Sequence, residues 1–296
     1  VPAVIIFIKE NMNTKVRGRK DLENLSIPFI GEIPQYLSAK KKLGFDKHTQ
    51  SVMKAIVVKE GNRNIINEAF RVLRSNIDFM AGKDSGQNVF MLTSFNPGSG
   101  KSFLAMNIAM SFAIKKKRIL VIDGDLRHGS TSSYVDSPKT GLSDYLGNRV
   151  SDWKEIIVKD EKYDNLHIIP IGTVPPNPTE LLEDGKLATL IEVLRSEYDY
   201  IFIDCPPIDI VADAQIIEKL ADRTVFVVRS GLLDRSMLPE LENIYQEKRF
   251  KNLSVILNGT ESAGGRYGYR YGYRNGYSSY YGSKGKMGGG KWVVIK

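Results

Sequence analysis

The sequence predicts an α/β protein with a mostly parallel β-sheet and helices on both faces of that sheet. Three observations lead to this fold class. Short Val- and Ile-rich runs alternate with helical patterns, a Gly-Lys-Ser loop follows the first central run, and aspartates end two of the runs. The pattern stops at Gly264, where glycine and tyrosine replace the aliphatic residues that a core needs.

Six apolar runs with little polar alternation have the pattern of strands that are buried on both faces. They are Val89–Thr93, Ile119–Asp123, Leu166–Pro170, Tyr200–Asp204, Thr224–Arg229 and Leu253–Asn258. Helical spacing of apolar residues is found between several of them, at Ser102–Ile114, Pro178–Ser196, Asp213–Leu220 and Leu238–Lys248. Alternation of this kind predicts a parallel sheet with right-handed crossovers.

Residues 1–60 are predicted to form a lead-in before the main domain. A helix is expected around Lys9–Leu25, followed by a short strand at Pro28–Pro34. The first eight residues, Val1–Ile8, are almost wholly apolar and precede a basic cluster. That order fits either the cytoplasmic end of a transmembrane helix or a buried N-terminal strand or helix start, and the residues alone leave both interpretations open.

An amphipathic helix is predicted over Asn62–Met80. Its apolar face consists of Ile66, Ala69, Phe70, Leu73, Ile77 and Met80. Glu68, Arg71 and Arg74 are expected on the opposite side. This helix opens a main domain that we predict to span residues 61–263.

The net charge of +8 belongs almost entirely to residues 264–296. That tail holds seven basic and no acidic residues, so 8 − 7 leaves about +1 for residues 1–263. No nucleic-acid partner is expected, because such a body would carry a basic face of its own. The segment 264–290 contains ten glycines and seven tyrosines and is predicted to be disordered. The final apolar segment, Trp292–Ile295, receives no assignment.

A phosphate-binding loop is predicted at Ser94–Ser102, between the first central strand and its helix. Backbone N–H groups of such a loop form a positive cradle for phosphate oxygens. Lys101 is expected to reach the β- and γ-phosphates of ATP, and the Ser102 hydroxyl to bind Mg²⁺. Phe95 stands where the common pattern has its first glycine. The loop indicates a P-loop NTPase-type fold, with nucleotide contacts from Pro97, Gly98, Ser99, Gly100, Lys101, Ser102 and Phe103.

Two strands end in aspartates at the sheet edge where ligands of open α/β folds bind. Asp123-Gly124-Asp125 follows one run, and Asp204 ends another. Alternate side chains of an extended segment point the same way, so Asp123 and Asp125 are expected to face one metal–nucleotide site. A lone aspartate at a strand end is usually a helix cap, whereas carboxylates on two strands beside a phosphate loop indicate catalysis. The chain's one cysteine, Cys205, excludes an internal disulfide and is expected to be a small buried residue.

Together these motifs resemble the bacterial tyrosine kinase family, the Wzc-like and CapB-like autokinases of capsule and exopolysaccharide export. The resemblance covers nearly the whole chain, including the phosphate loop, the motif ending at Arg127 and the strand ending at Asp204. Glu68–Arg74 is similar to the family's Glu-x-x-Arg-x-x-Arg helix, which mediates ring assembly. Pro175–Leu182 resembles a further family segment, and Asn258 resembles the adenine-contacting asparagine of related ATPases.

The resemblance implies a protein-tyrosine autokinase that uses ATP and Mg²⁺ and phosphorylates its tail in trans between subunits. Lys101 would stabilise phosphate charge, and Ser102 would bind the metal. Asp125 and Asp204 would support the metal, while Asp123 would receive the tyrosine proton. The acceptors would be Tyr267, Tyr269, Tyr271, Tyr273, Tyr277, Tyr280 and Tyr281.

The same resemblance implies partners and a location. The partners would be further copies in a ring-like homo-oligomer, a periplasmic and transmembrane polysaccharide co-polymerase portion of the same chain, and a tyrosine phosphatase. The kinase part would lie at the cytoplasmic face of the bacterial inner membrane.

Two other functions stay open at this point. A ParA/MinD-like switch ATPase would share the fold and the loop, but that class has a signature lysine where this chain has Asn96, and it has no tyrosine-rich tail. A nucleic-acid-binding module would fit the interleaved arginine, tyrosine and glycine of the tail, although the tail is attached to an ATPase-like body.

Overall fold

A computed structural model of the protein describes residues 14–36, 55–82, 86–208 and 212–261. Its strands are β1 (Phe29–Pro34), β2 (Val89–Thr93), β3 (Ile119–Asp123), β4 (Val158–Lys159), β5 (Leu166–Ile169), β6 (Tyr200–Asp204), β7 (Arg223–Arg229) and β8 (Ser254–Thr260). Its α-helices are α1 (Ile65–Ala81), α2 (Lys101–Ala113), α3 (Leu142–Leu146), α4 (Pro178–Glu183), α5 (Lys186–Glu197), α6 (Asp213–Glu218) and α7 (Leu238–Gln246).

The eight strands form one sheet in the order β1-β8-β7-β2-β6-β3-β5-β4. Every neighbouring pair is parallel except β4 and β5. Because parallel strands end at the same edge, the segments that follow β2, β3, β6 and β8 meet at the carboxyl edge of the sheet. The predicted α/β fold class is confirmed.

The central strands are buried on both faces, as their Val- and Ile-rich sequences require. Phe90 and Leu92 of β2 pack into one apolar cluster together with α1 and α2. The alternate residues Val89 and Met91 pack into a second cluster, on the side of α3 to α7. Successive side chains of a strand point to opposite faces, so one strand contributes to two apolar layers.

Helix α1 packs its predicted apolar face on the sheet and on α2. Asn107, in the middle of α2, fixes the segment that leads into α1: its Oδ1 accepts the backbone N–H groups of Val57 and Val58, and its Nδ2 donates to the carbonyls of Ala55 and Phe103. All four hydrogen-bonding positions of this amide are therefore occupied, in a site of 0% exposure.

The N-terminal helix expected around Lys9–Leu25 is wrong for its described part, since residues 14–18 are non-helical and only Arg19–Leu22 form a 3₁₀ turn. Val16 explains the difference. Its N–H donates to the carbonyl of Leu233, and its own carbonyl accepts from Gly231. A backbone that pairs with a distant loop in this way is not available to make helical hydrogen bonds.

Three further differences concern element boundaries. The single helix expected at Pro178–Ser196 is two helices, because Gly185 adopts a left-handed conformation with φ of 80°. The short elements β4 and α3 were not predicted. The strand β1, which the sequence placed in a lead-in, pairs with β8 and belongs to the same sheet as the phosphate loop.

No helix within the described ranges is long and apolar enough to cross a lipid bilayer. Residues 1–8, for which the sequence leaves a transmembrane end open, lie outside the described residues. The tail residues 264–296, which include Trp292–Ile295, lie outside them as well.

Candidate active site

The loop between β2 and α2 is held in a phosphate-loop conformation by two left-handed glycines. Gly98 has φ of 74° and Gly100 has φ of 90°, and α2 begins directly afterwards at Lys101. The buried amide of Asn258 donates to the carbonyl of Ser99 at 2.8 Å. A Cβ atom on Gly100 would lie 2.3 Å from Asn258 Nδ2, so only glycine fits there.

Phe95 replaces the first glycine of the common loop pattern because it serves the core. Its ring is 3% exposed and packs edge-to-face on Phe226 of β7, with 4.9 Å between centroids. Beyond it, the hydroxyls of Ser94 and Ser99 both donate to the carbonyl of Asn96. The loop is thus anchored by an apolar contact at its start and closed by serine hydrogen bonds.

Two aspartates lie side by side at the ends of β3 and β6. Asp123 and Asp204 are register partners in these neighbouring strands, and they are 0% and 1% exposed. Asp123 Oδ2 accepts the N–H and the hydroxyl of Ser132, at 2.6 and 2.7 Å. Asp204 Oδ2 accepts the hydroxyl of Thr131 at 2.8 Å. The Oδ1 atom of each aspartate is buried and has no hydrogen-bond partner within the described part of the chain.

This pairing of buried carboxylates changes their acidity. Burial raises the pKa of Asp123 well above its usual value, and the charge of Asp204 raises it further, while the hydrogen bonds from Ser132 oppose the shift. Burial likewise raises the pKa of Asp204, against the ammonium group of Lys101 and the hydroxyls of Ser102 and Thr131. The ammonium group of Lys101 thus offsets part of the cost of burying the charge of Asp204.

Lys101 and Asp125 complete the polar cluster at this edge. Lys101 Nζ lies 3.5 Å from Ser94 Oγ, at the mouth of the loop. The Oδ1 atom of Asp125 accepts the backbone N–H groups of Arg127 and His128, so this aspartate caps its own turn. Its charge still contributes to the raised pKa of Asp123.

A second network joins three segments that border the site. Arg127 donates from Nε to the buried carboxylate of Asp213 at 3.1 Å and from Nη2 to Thr179 Oγ1 at 3.0 Å. The Thr179 hydroxyl donates in turn to Asp213 at 2.7 Å. The loop after β3, the start of α4 and the start of α6 are therefore fixed to one another.

The sequence reasoning missed Thr131, Ser132, Thr179 and Asp213. The run Ser130-Thr131-Ser132-Ser133 directly after the Asp123–Arg127 motif was a usable signal, because hydroxyl groups near buried carboxylates commonly serve as donors. The periodicity of apolar residues does not indicate which hydroxyl groups donate to buried carboxylates.

The other predicted residues lie as follows. The ring of Phe103 is buried against Phe70 of α1, and its nucleotide contact stays a prediction. Asn258 has its amide committed to the phosphate loop, and the adenine contact stays a prediction. Cys205 is fully buried and burial raises the pKa of its thiol, in agreement with a small core residue. His128 is exposed and lies 3.2 Å from Asp125.

A polar cavity of about 380 Å³ adjoins the phosphate loop. Its lining residues are Lys15, Arg17, Gln35, Arg229, Ser230, Gly231, Gly259 and Glu261. Arg229 connects it to the loop, since Nη1 lies 3.7 Å from the position of a Cβ on Gly100. Burial lowers the pKa of this guanidinium group.

Comparison with known proteins identifies the family. Residues 87–232 match the family model described as an AAA domain. Tyrosine-protein kinase YwqD of Bacillus subtilis is 34% identical over 210 residues, which are 70% of this chain and 87% of the relative. The chain belongs to the bacterial tyrosine kinase family. The structure of the kinase domain of the Escherichia coli tyrosine kinase ETK agrees, with a TM-score of 0.72, 28% identity and coverage of 87% of this chain and 100% of that domain.

Some members of this bacterial tyrosine kinase family are much longer than the present chain. A relative from Klebsiella pneumoniae, whose name refers to a tyrosine-protein kinase in a cps region, is 32% identical over 274 residues. The match covers 89% of this chain but 37% of that relative. The kinase family resemblance expected from the sequence is confirmed.

The residues at the carboxyl edge fit a nucleotide with a divalent cation. Two buried carboxylate oxygens, Oδ1 of Asp123 and Oδ1 of Asp204, have no partner in the described residues. The oxygen on Asp204 suits a metal ion, which prefers carboxylate ligands, and the oxygen on Asp123 can accept a hydrogen bond. The described residues contain no cluster of three or more carboxylate, histidine or cysteine ligands. Mg²⁺ is therefore expected to take the rest of its ligands from Ser102, water and phosphate oxygens, as is usual for this ion.

Proposed function

We propose that this chain is an ATP- and Mg²⁺-dependent protein-tyrosine autokinase that phosphorylates its own C-terminal tyrosines, in trans between subunits. The observation that carries the proposal is the register pair Asp123–Asp204, near Lys101 of the phosphate loop. Each aspartate has one buried oxygen for which the described residues offer no partner. Membership of the tyrosine kinase family supports the same reaction. The tail of the chain supplies seven candidate acceptors, from Tyr267 to Tyr281.

The phosphate loop would bind the ATP phosphates through its backbone N–H groups and through Lys101. Ser102 and Asp204 would hold Mg²⁺, with Asp125 in support. When bound, the metal supplies charge that stabilises the transferring phosphoryl group. The polar cavity is lined by Arg229, whose guanidinium group approaches Gly100 of the loop, and it would accept the ribose or base end of the nucleotide.

Asp123 is the proposed acceptor of the tyrosine proton. Because its pKa is raised, this carboxyl group stays protonated at a higher pH than an ordinary aspartate does. A cation bound at Asp204 would offset part of the repulsion between the carboxylates of Asp123 and Asp204. The pKa of Asp123 would then fall, so that Asp123 could accept the tyrosine proton. Ser132 holds its Oδ2 atom and leaves Oδ1 to face the incoming hydroxyl.

Assembly of several copies is proposed to occur through α1. Ile65, Val72 and Phe79 recur every seven residues along this helix and are exposed, Phe79 to 88%. An apolar stripe at heptad spacing is typical of a helix that packs against a partner. Glu68, Arg71 and Arg74, which match the family's assembly motif, are on the same helix, so a second copy of this chain is the proposed partner. Substituting Val72→Ser and Phe79→Ser should lower the mass measured by sedimentation, and an unchanged mass would contradict this interface.

The setting of the reaction is proposed from the relatives. Names that refer to a cps region support a role in capsular or exopolysaccharide synthesis and export, regulated by tail phosphorylation. The greater length of that relative supports a further co-polymerase portion with membrane spans, and hence a location at the cytoplasmic face of the inner membrane. A tyrosine phosphatase would reverse the modification.

Intact-mass spectrometry after incubation with ATP and Mg²⁺ tests the proposal, with Lys101→Met as the control. A ladder of phosphate additions that maps to residues 267–281 and is absent in the control is the expected result. ATP hydrolysis without any change in mass would contradict autokinase activity and favour the ParA/MinD-like switch ATPase.

A further inference from the structure

A cationic cavity of about 340 Å³ lies where α1, the C-terminal turn of α2 and the segment 58–63 meet. Its charged lining residues are the cations Lys59, Arg63, Arg71, Arg74 and Lys115 and the single acid Glu60. Five positive charges thus face one negative charge. The apolar side chains of Val58 and Ile114 line the same cavity.

Two of these cations are held in place by backbone carbonyls. Arg74 Nη1 donates to the carbonyl of Ser111 at 2.8 Å, and Arg71 Nη2 donates to that of Asn62 at 2.6 Å. Arg71 also pairs with Glu68. The carbonyl of Ser111 fixes the position of the Arg74 guanidinium group without neutralising it, whereas Glu68 offsets the charge of Arg71. Accordingly, burial lowers the pKa of Arg74, and the positive charge of Arg71 lowers it further, against a smaller opposing effect of Asp78.

The remaining cations are available to a ligand. The side chains of Arg63 and Lys115 are exposed and make no hydrogen bond or ion pair with any residue in the described ranges. A guanidinium group has five donors, so Arg71 and Arg74 also keep N–H groups for an anion. The cavity therefore combines positioned arginines, free cations and an apolar wall.

We propose that this cavity binds a phosphotyrosine from the tail of this protein, and so recognises the product of the reaction. Arginine clusters bind phosphate groups through paired N–H donors, and the apolar wall of Val58 and Ile114 suits the aromatic ring. The chain supplies the candidate ligand itself, because its tail holds seven tyrosines between Tyr267 and Tyr281.

Charge makes the binding conditional on phosphorylation. The unmodified tail carries seven basic residues and no acidic one, so it is repelled by the cationic cavity. Each phosphate adds about −1.5 to −2 charge at neutral pH. A phosphotyrosine is therefore attracted where the unmodified tyrosine is not. The site adjoins the α1 surface that we assign to subunit contacts, so an occupied cavity also changes the charge presented to a neighbouring subunit.

Isothermal titration calorimetry tests this site on the phosphatase-treated full chain, saturated with Mg·ADP so that the phosphate loop is occupied. The ligands are a synthetic peptide of residues 264–276 phosphorylated at Tyr271, the unmodified peptide, and a Tyr271→Glu peptide. We expect binding of one phosphopeptide per chain and at least tenfold weaker binding of the unmodified peptide, which as the proposed substrate can still reach the active site. Equal affinity for these two would overturn the proposal, and tight binding of the glutamate peptide would reassign the cavity to acidic peptides.

Matched variants locate the site. The pair Arg63→Gln and Lys115→Gln removes two cations that make no side-chain hydrogen bond or ion pair within the described ranges. We expect at least tenfold weaker phosphopeptide binding, which corresponds to the loss of one charge-assisted hydrogen bond or more. The pair Lys219→Gln and Lys248→Gln removes the same charge from other exposed positions and should leave affinity within twofold. Equal losses in both pairs would show a non-specific charge effect and contradict the site.

This inference rests on the proposed function for the origin of the phosphotyrosine, but its test does not. A synthetic phosphopeptide needs no kinase activity, so a failure of peptide binding and a failure of autophosphorylation are separate results.

Discussion

The carboxyl edge of the sheet and the cavity between α1 and α2 both bring like charges together, but in different surroundings. At the edge, Asp123 and Asp204 are completely buried, and burial raises the pKa of each. At the cavity, Arg71 is partly exposed, and water and salt reduce the repulsion that it exerts on Arg74. Burying unpaired charges is costly, so the edge indicates a site selected for chemistry, whereas the cavity indicates a reversible binding surface.

The largest expected effect comes from removing one charge of the buried pair. Asp204→Asn should slow tail phosphorylation at least about 100-fold, because a proposed metal ligand and a preorganised charge are lost. Intact-mass spectrometry over time gives the rate, and Asp164→Asn, an exposed position outside the carboxyl edge, is the control. A comparable loss of rate in Asp164→Asn would show that the effect does not depend on the buried pair at the carboxyl edge.

A second effect concerns the backbone that supports the buried site. Gly100→Ala should reduce the free energy of unfolding by more than about 2 kcal/mol, because the new Cβ would be strained at φ of 90° and would collide with Asn258. Gly98→Ala is the matched control. Its φ is also positive, but no atom lies within 4 Å of the new Cβ, so a loss of about 1–2 kcal/mol is expected from strain alone. Urea unfolding measures the free energy of unfolding of both variants. Equal losses would show that a Cβ on residue 100 does not collide with Asn258.

The buried carboxylates should also make stability depend on pH in the absence of metal. A raised pKa means that the folded protein binds more protons than the unfolded chain above pH 4, so stability falls as the pH rises from about 5 to 8. Asp123→Asn should make this fall shallower and should raise the Tm at pH 8 by several degrees. Thermal unfolding in a chelator at both pH values tests the sign. A variant as pH-dependent as the parent protein would show that Asp123 titrates normally.

The smallest effect is expected at the exposed cations. Arg71→Gln should change the free energy of unfolding by less than about 1 kcal/mol, because its ion pair with Glu68 is half exposed. The measurement is urea unfolding at low and high salt, where the small difference should shrink further. A loss of several kcal/mol would mean that Arg71 is needed for the stability of the fold and is not simply part of a binding surface.

The sequence was sufficient where local patterns determine structure. Five-residue apolar runs placed β2, β3 and β6 with correct bounds, and parallel pairing then brought Asp123 beside Asp204. It was insufficient where contacts join distant segments. Thr131 and Asp204 are 73 positions apart, and the backbone partner of Val16 is Leu233, on a loop near the other end of the described chain. Neither apolar periodicity nor a glycine motif carries information about such partners.

Asn107 shows how a residue outside the chemistry can be as constrained as one inside it. Its amide connects the chain leading into α1 with the same helix that begins at Lys101, and no donor or acceptor position is spare. Aspartate has the right size but lacks the two donors, and leucine has neither function. In a saturation mutagenesis of the whole chain, position 107 will therefore be as intolerant as the phosphate-loop lysine, although it never meets a substrate.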